Sequence, residues 1–332
     1  MNSRGITNYL KGFAILFIPI NHYINSYTSL AISGYANGMV ALFFVLSGYG
    51  NYYALGKFEK INLGTILRFL AKRAVRIYPL YWLSLLLSYY LRGGQYTWEH
   101  ILALPTSPAP GLYWFITYLV QCYLLAPFLY LLLEKLGSIR YTLVISVLWF
   151  LVYIVYPFTS LPFSRDMFIF RLLFLGHVLL FALGMALPSL IQEYGTRFRH
   201  KVFVAVFIAA FLLMVHLTHY PDLLFHRSGV YLALFYIAAA YFLCLFAFSS
   251  KPWLPLQRGL ITLGIFSYSV YLFHLPYYKV LQKLKLIQRD NLQSVLYTLL
   301  LFPVLFLFCV LLEKANNALS SWVGSRVEAK VR

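Results

Sequence analysis

Apolar runs of about 20 residues recur along the whole of this 332-residue chain, and that recurrence limits the fold more than any other feature. The hydrocarbon core of a bilayer is about 30 Å thick, and a helix crosses it in about 20 residues. Backbone N–H and C=O groups find no water there, so only helices and closed barrels span it. The runs lack the alternation of barrel strands. We therefore read an all-α, polytopic integral membrane protein with about ten transmembrane helices. They lie at roughly 8–28, 37–56, 77–91, 112–133, 141–158, 168–191, 202–219, 229–249, 261–279 and 292–312. Composition agrees: 61% of residues are hydrophobic and 11% charged. A soluble domain is about half apolar and about a quarter charged, so a water-soluble enzyme, a disordered chain, a coiled coil and a collagen are excluded. No connecting loop exceeds about 20 residues, so 1–332 reads as one transmembrane domain, a bundle over about 8–312 with a cytoplasmic tail 313–332. No small-residue cleavage pattern follows the first apolar stretch, which is expected to stay as the first span.

The charge is lopsided: 27 Lys and Arg stand against 9 Asp and Glu, a formal +18. In a soluble protein this would suggest nucleic acid. In a membrane protein Lys and Arg are retained in cytoplasmic loops. With the N-terminus inside, eighteen of the 27 fall in inner segments and seven in outer loops, while Lys11 and Arg171 lie within spans. The distribution favours N-in and C-in in the plasma (inner) membrane, and no nucleic-acid partner. One segment dissents, because 279–291 is basic yet outside. It reads either as an interfacial amphipathic segment or as a sign that the span count fails there. Every Asp and Glu lies in a loop or at a span end, so the membrane interior is expected to hold no carboxylate. That argues against a proton or cation pathway. Cys122, Cys244 and Cys309 lie in apolar runs and read as small buried residues.

The polar residues left inside the spans are then the informative ones. Lys11, Asn21, His22 and Asn25 share the first span. A mid-helix Lys costs about 2.5–3.5 kcal/mol on insertion scales, so it should face protein or water. Lys11 and His22 are eleven residues apart, which places them on one helix face about 16 Å apart. Pro19 between them can kink the helix. Snorkelling is the alternative for Lys11, and an interior hydrogen bond is the alternative for His22. In Lys72-Arg73-Ala74-Val75-Arg76, the two Arg stand at i, i+3. Paired guanidiniums suit phosphate groups; a topology signal or anionic lipid is the other reading. Ser267-Tyr268-Ser269-Val270-Tyr271-Leu272-Phe273-His274 places hydroxyls and an imidazole in an apolar span, where interhelical hydrogen bonding competes with a functional role. Arg171 and His177 are weaker candidates. His216 and His219 have no third ligand at hand, and no metal is expected.

Taken together these segments resemble the acyltransferase-3 family of membrane-integral acyltransferases. The resemblance runs through Lys11-Gly12-Phe13-Ala14-Ile15 to His22, Ala41-Leu42-Phe43-Phe44-Val45-Leu46-Ser47-Gly48-Tyr49, and Arg73-x-x-Arg76 with Tyr78-Pro79. It continues through Trp114-Phe115 with Gln121, Tyr123 and Pro127 to Tyr268–His274. The chain departs from the family pattern in having Asn8 where Asp is frequent, Leu119 or Val120 where Glu is frequent, and Lys11 for the commoner Arg. The resemblance implies an O-acetyltransferase moving an acyl group, usually acetyl, from cytoplasmic acyl-CoA to a hydroxyl of a carbohydrate or lipid-linked, cell-surface glycan. On that reading His22 is the general base, with an acyl-histidine intermediate as the alternative, and Lys11 positions the donor or steadies developing charge. Arg73, Arg76 and Lys72 would meet the CoA phosphates. Asn8, Asn21, Ser47, Tyr123, Arg171, Ser269, Tyr271 and His274 would contact the acceptor or support these groups. Acetyl-CoA, a carbohydrate acceptor and the bilayer are the expected partners, and a homo-oligomer stays open. The rivals are a transporter or flippase for a lipid-linked sugar, and a non-catalytic scaffold.

Overall fold

The computed structural model describes residues 3–29, 35–93, 96–104, 113–151, 177–195 and 254–329. Among these residues the regular elements are helices: α1 (Ser3–Tyr27), α2 (Tyr35–Leu55), α3 (Leu63–Arg92), α4 (Trp98–Ile101), α5 (Trp114–Leu136), α6 (Ser138–Phe150), α7 (His177–Gly195), α8 (Leu254–Ile265), α9 (Ser267–Lys283) and α10 (Leu292–Ala329). Three of them, α5, α7 and α10, are long and apolar enough to cross a membrane, and α8 with α9 makes a fourth if the bent pair counts as one span. The expected spans 202–219 and 229–249 lie outside the described residues, as do parts of 141–158 and 168–191.

Three sequence expectations change. The span expected at 261–279 is two helices meeting at 79°. The break falls at Phe266, whose φ −100° and ψ 13° leave the helical region. The stretch expected to precede a span at 77 is already helix from Leu63, continuous through Pro79. Its start is set by a reciprocal cap: Asn62 Oδ1 accepts from the Thr65 N–H at 2.9 Å, and Thr65 Oγ1 accepts from the Asn62 N–H at 2.8 Å. The last helix does not stop at 312. Glu-Lys-Ala-Asn-Asn-Ala-Leu contains no Pro or Gly to end it, so α10 runs on to Ala329.

The chain divides into two compact units. The first comprises residues 1–36, 70–101 and 243–332, hence α1, most of α3, α4, α8, α9 and α10. Within it α8 lies antiparallel against the first half of α1. The contact is backbone to backbone: a Cβ on Gly12 would sit 1.8 Å from the Leu260 carbonyl oxygen, and one on Gly264 1.7 Å from that of Asn8. Membrane helices use small residues in this way, because close packing replaces the hydrophobic drive that lipid cannot supply. After the break α9 runs parallel to the second half of α1, with Tyr278 OH donating to the Pro19 carbonyl at 3.0 Å. α10 returns antiparallel to α9, with Tyr277 OH on the Thr298 carbonyl at 2.8 Å. At that end the Asp290 N–H donates to the Tyr27 carbonyl at 2.9 Å, and Asp290 Oδ1 accepts from the Ser29 N–H at 2.6 Å. The basic 279–291 segment therefore stands at the same end as Tyr27, the end that an N-in arrangement places outside.

The second unit, residues 37–69 and 102–242, contains α2, the start of α3, and α5 to α7. Leu133, Tyr141, Ile145, Leu179, Ala182 and Ala186 form its buried cluster. Gly184 meets the Val45 carbonyl oxygen as Gly264 meets that of Asn8, with a Cβ position 2.1 Å away.

Candidate active site

The first unit gathers most of the residues singled out from the sequence. At the level of Pro19 to Tyr27, α1 turns His22 toward α9. The rings of His22 and His274 have their centres 5.2 Å apart with planes 38° apart. His274 is 1% exposed, and its Nδ1 lies 2.6 Å from the Tyr271 carbonyl oxygen. A carbonyl only accepts, so Nδ1 carries the proton, and in the neutral ring Nε2 carries the lone pair. Aromatic rings continue the wall: Tyr271 is 5.9 Å from His274, Tyr278 6.0 Å, and Tyr23 5.6 Å from Tyr278.

Three turns toward the other end of α1, the half-buried Lys11 precedes Gly12 at the α8 contact. Nearby elements of the same unit carry the basic triplet of α3, in which Arg73 is half-buried and Lys72 and Arg76 are exposed. Two hydrogen bonds tie this part of α3 to its neighbours: Tyr268 OH donates to the Ile77 carbonyl at 2.8 Å, and Asn316 Nδ2 to the Arg76 carbonyl at 2.8 Å. Between them lies Glu313, 2% exposed, accepting a hydrogen bond from Ser269 Oγ.

Glu313, expected at a span end, is buried within the protein. It stands about 32 Å along the helix from Leu292. Its signal was in the sequence: Leu305, Cys309, Glu313 and Asn316 are spaced at four, four and three residues, and all four are buried. They form one face of a helix, and the polar pair is its continuation. Ser269, expected to contact the acceptor or support the reacting groups, donates to this carboxylate.

The other candidates are placed as follows. Asn8 meets Gly264 through its backbone carbonyl, and Asn21 is half-buried on α1. Ser47 and Tyr123 belong to the second unit. There the Ser47 carbonyl accepts from Asn51 Nδ2 at 2.7 Å, and the Tyr123 ring lies 6.2 Å from Phe181. His177, in the same unit, is ringed by Phe44 at 4.7 Å, Tyr118 at 5.5 Å and Trp114 at 5.6 Å. Arg171 lies outside the described residues. Among the described residues no three His, Cys, Asp or Glu are grouped to hold a metal ion.

This arrangement puts a paired imidazole near one end of a helix bundle and a cluster of cations near the other. A family model described as an acyltransferase domain, of the acyltransferase-3 type, matches residues 6–314. The chain belongs to the acyltransferase-3 family. No curated protein and no solved structure matches it. As a member of this family the protein is a multi-pass integral membrane transferase that uses an acyl donor and an acceptor. The acyltransferase match takes in every described candidate from Asn8 to His274 and ends one residue beyond Glu313.

Proposed function

We propose that the protein transfers an acyl group, most simply acetyl, from cytoplasmic acyl-CoA to a hydroxyl of a carbohydrate or lipid-linked glycan. The observation that carries this reading is the His22–His274 pair, with ring centres 5.2 Å apart, on the same helix as Lys11 and in the same unit as Arg73 and Arg76. The half-buried His22 thus lies against a second, buried imidazole in the same unit. In its neutral form the His22 imidazole carries a lone pair on one nitrogen, which can take the proton of the acceptor hydroxyl. That is the requirement for a general base near neutral pH.

The step balances without a metal or redox partner. The hydroxyl oxygen attacks the thioester carbonyl carbon while His22 takes its proton. The C–S bond then breaks, an ester forms, and the proton passes to the departing CoA sulfur. Lys11 lies about 16 Å along the helix from His22. We therefore assign it to the donor's polar groups rather than to the carbonyl itself. Arg73 and Arg76, with Lys72, bind the CoA phosphates, and the pantetheine arm spans the distance to His22. The remaining expectations belong to the same reading: about ten spans, both termini inside, and the plasma (inner) membrane as the location.

Labelled acetyl should pass from acetyl-CoA into surface glycan in membranes that carry the chain, and not in membranes that lack it. Uptake or flipping of a lipid-linked sugar that continues after acyl-CoA is depleted, with no labelled ester formed, would replace this reading with a transporter. Arg73→Ala should raise KM for acetyl-CoA about tenfold at nearly constant kcat, the loss of one charge-assisted contact to phosphate. An unchanged KM removes the phosphate-binding role.

A further inference from the structure

The turn from α9 into α10 carries Lys279, Lys283, Lys285 and Arg289, and the acyl-transfer chemistry uses none of them. Its backbone is fixed at every corner. α9 ends in a Schellman turn, in which the Leu286 N–H donates to the Leu281 carbonyl at 2.9 Å and the Lys285 N–H to the Gln282 carbonyl at 3.0 Å. The residue just past such an end takes the left-handed conformation and is commonly Gly; here it is Lys285, at φ 59°. Further on, the Gln288 N–H donates to Ser294 Oγ at 2.8 Å, and Asn291 caps α10 by accepting from the Gln293 N–H at 2.8 Å. Asp290 ties the turn to Tyr27 and Ser29. Lys283, Lys285 and Arg289 are exposed and Lys279 is half-buried. Among the described residues, the acid paired with this group is Asp290, 3.8 Å from Arg289 Nε, and the three lysines have none.

The first unit therefore has basic clusters at both ends. α9 starts at the level of Ile77, where Tyr268 is bonded, and leads to the turn; α10 leads back from it to Asn316, bonded at Arg76 and about 36 Å along the helix from Leu292. Lys and Arg are retained on the cytoplasmic side of a membrane. Whichever way this unit is inserted, one cluster stands on the other side against that tendency, and its charge needs a reason of its own. The paired imidazoles lie toward the turn: His274 precedes Lys279 by about 8 Å of helix and Lys283 by about 14 Å. We propose that this turn binds the phosphate of the acceptor, which makes the acceptor a glycan joined through phosphate to a lipid rather than a neutral free sugar. The proposal rests on the acyl-transfer reading and names the substrate class of the same site. Leu284 and Leu292, 61% and 74% exposed, flank the lysines. Cations beside an apolar surface suit a phosphate carried on a lipid chain, and Lys ammoniums bind phosphate as point charges without demanding one orientation. With the phosphate held at the turn, the first sugars of the chain lie at the level of His22. A Lys in the left-handed position costs backbone stability, and its charge is what the chain gains there.

Labelled dodecyl phosphate, bound to the full chain in neutral detergent, tests the site without any donor. The wild type should bind it, and binding should weaken as salt is raised, because the cations are exposed. Dodecanol should not compete, and inorganic phosphate and phosphatidylglycerol should each compete at least about tenfold more weakly than unlabelled dodecyl phosphate. Lys283→Gln combined with Lys285→Gly should weaken binding about tenfold or more, the loss of two charge-assisted contacts. Lys285→Gly alone separates charge from structure: Gly suits the left-handed position, so Tm should rise while affinity for dodecyl phosphate falls. In membranes, the double variant should incorporate about tenfold less labelled acetyl per folded chain with KM for acetyl-CoA as in the wild type, which sets this phosphate site apart from the donor's. Unchanged binding in the double variant, or a raised KM for acetyl-CoA, would overturn the proposal. Equal competition by inorganic phosphate or by phosphatidylglycerol would overturn it too, giving the turn to free phosphate or to bulk lipid. Full acetyl transfer by the double variant would remove the acceptor role and leave the acyl-transfer reading standing. If dodecyl phosphate binds as expected but wild-type membranes transfer no acetyl, the phosphate site stands and the acyl-transfer reading falls instead.

Discussion

His22→Ala should lower acetyl transfer by at least about a hundredfold, the smaller end of what a positioned general base contributes. The protein should still be inserted and folded. His22 is half-buried, and the α1–α9 contact is also held by Tyr278 on the Pro19 carbonyl and by the Tyr23–Tyr278 ring pair. Removing one imidazole leaves those in place. The measurement is labelled acetyl incorporated from acetyl-CoA, normalised to folded chain. KM for acetyl-CoA should change little, because His22 is about three helical turns from Lys11 and acts on the acceptor hydroxyl. A His22→Ala protein with full transfer would take His22 out of the chemistry altogether.

The largest stability effect is expected at the α1–α8 crossing. In Gly264→Val a Cβ would be placed 1.7 Å from the Asn8 carbonyl oxygen, and the obstacle is backbone on both sides. No rotamer relieves that contact, so the helices must separate, with a loss of about 3 kcal/mol or more, the upper end for overpacked interiors. Activity should fall with it. α8 leads directly into α9, so displacing α8 shifts His274 relative to His22. Gly259→Ala is the control, since nothing lies within 4 Å of its added Cβ. Tm in detergent for the two variants checks the prediction. A Gly264→Val protein that melts with the wild type would show that the crossing can relax at little cost.

The pairing of His22 with His274 was partly legible beforehand. Each residue stood out as polar in an apolar run, and their blocks occur in family order. What joined them is the 79° break at Phe266. A straight span over 261–279 presents only a hydropathy profile, and hydropathy does not record a change of direction. The glycines had the same status. Gly12 and Gly264 were visible as residues, but a close crossing depends on which glycine meets which backbone, and that pairing is set 252 positions away along the chain.

Glu313 marks the limit most clearly. Counting charges along the chain put it at a span end, and depth is all that hydropathy reports. Whether an interfacial carboxylate faces water or protein depends on the helix face it occupies and on what packs there. The face of α10 that buries Leu305 and Cys309 carries Glu313 inward toward Ser269.

The sequence by itself determined the solvent this chain folds in, its helical class and its family, because these follow from apolar length, from the absence of water for backbone groups, and from short blocks read in order. Only the tertiary structure decided which polar residues of the first unit share a site. Helix-on-helix contacts in lipid are selected by local shape and by scattered hydrogen bonds, and neither leaves a periodic trace along a single chain.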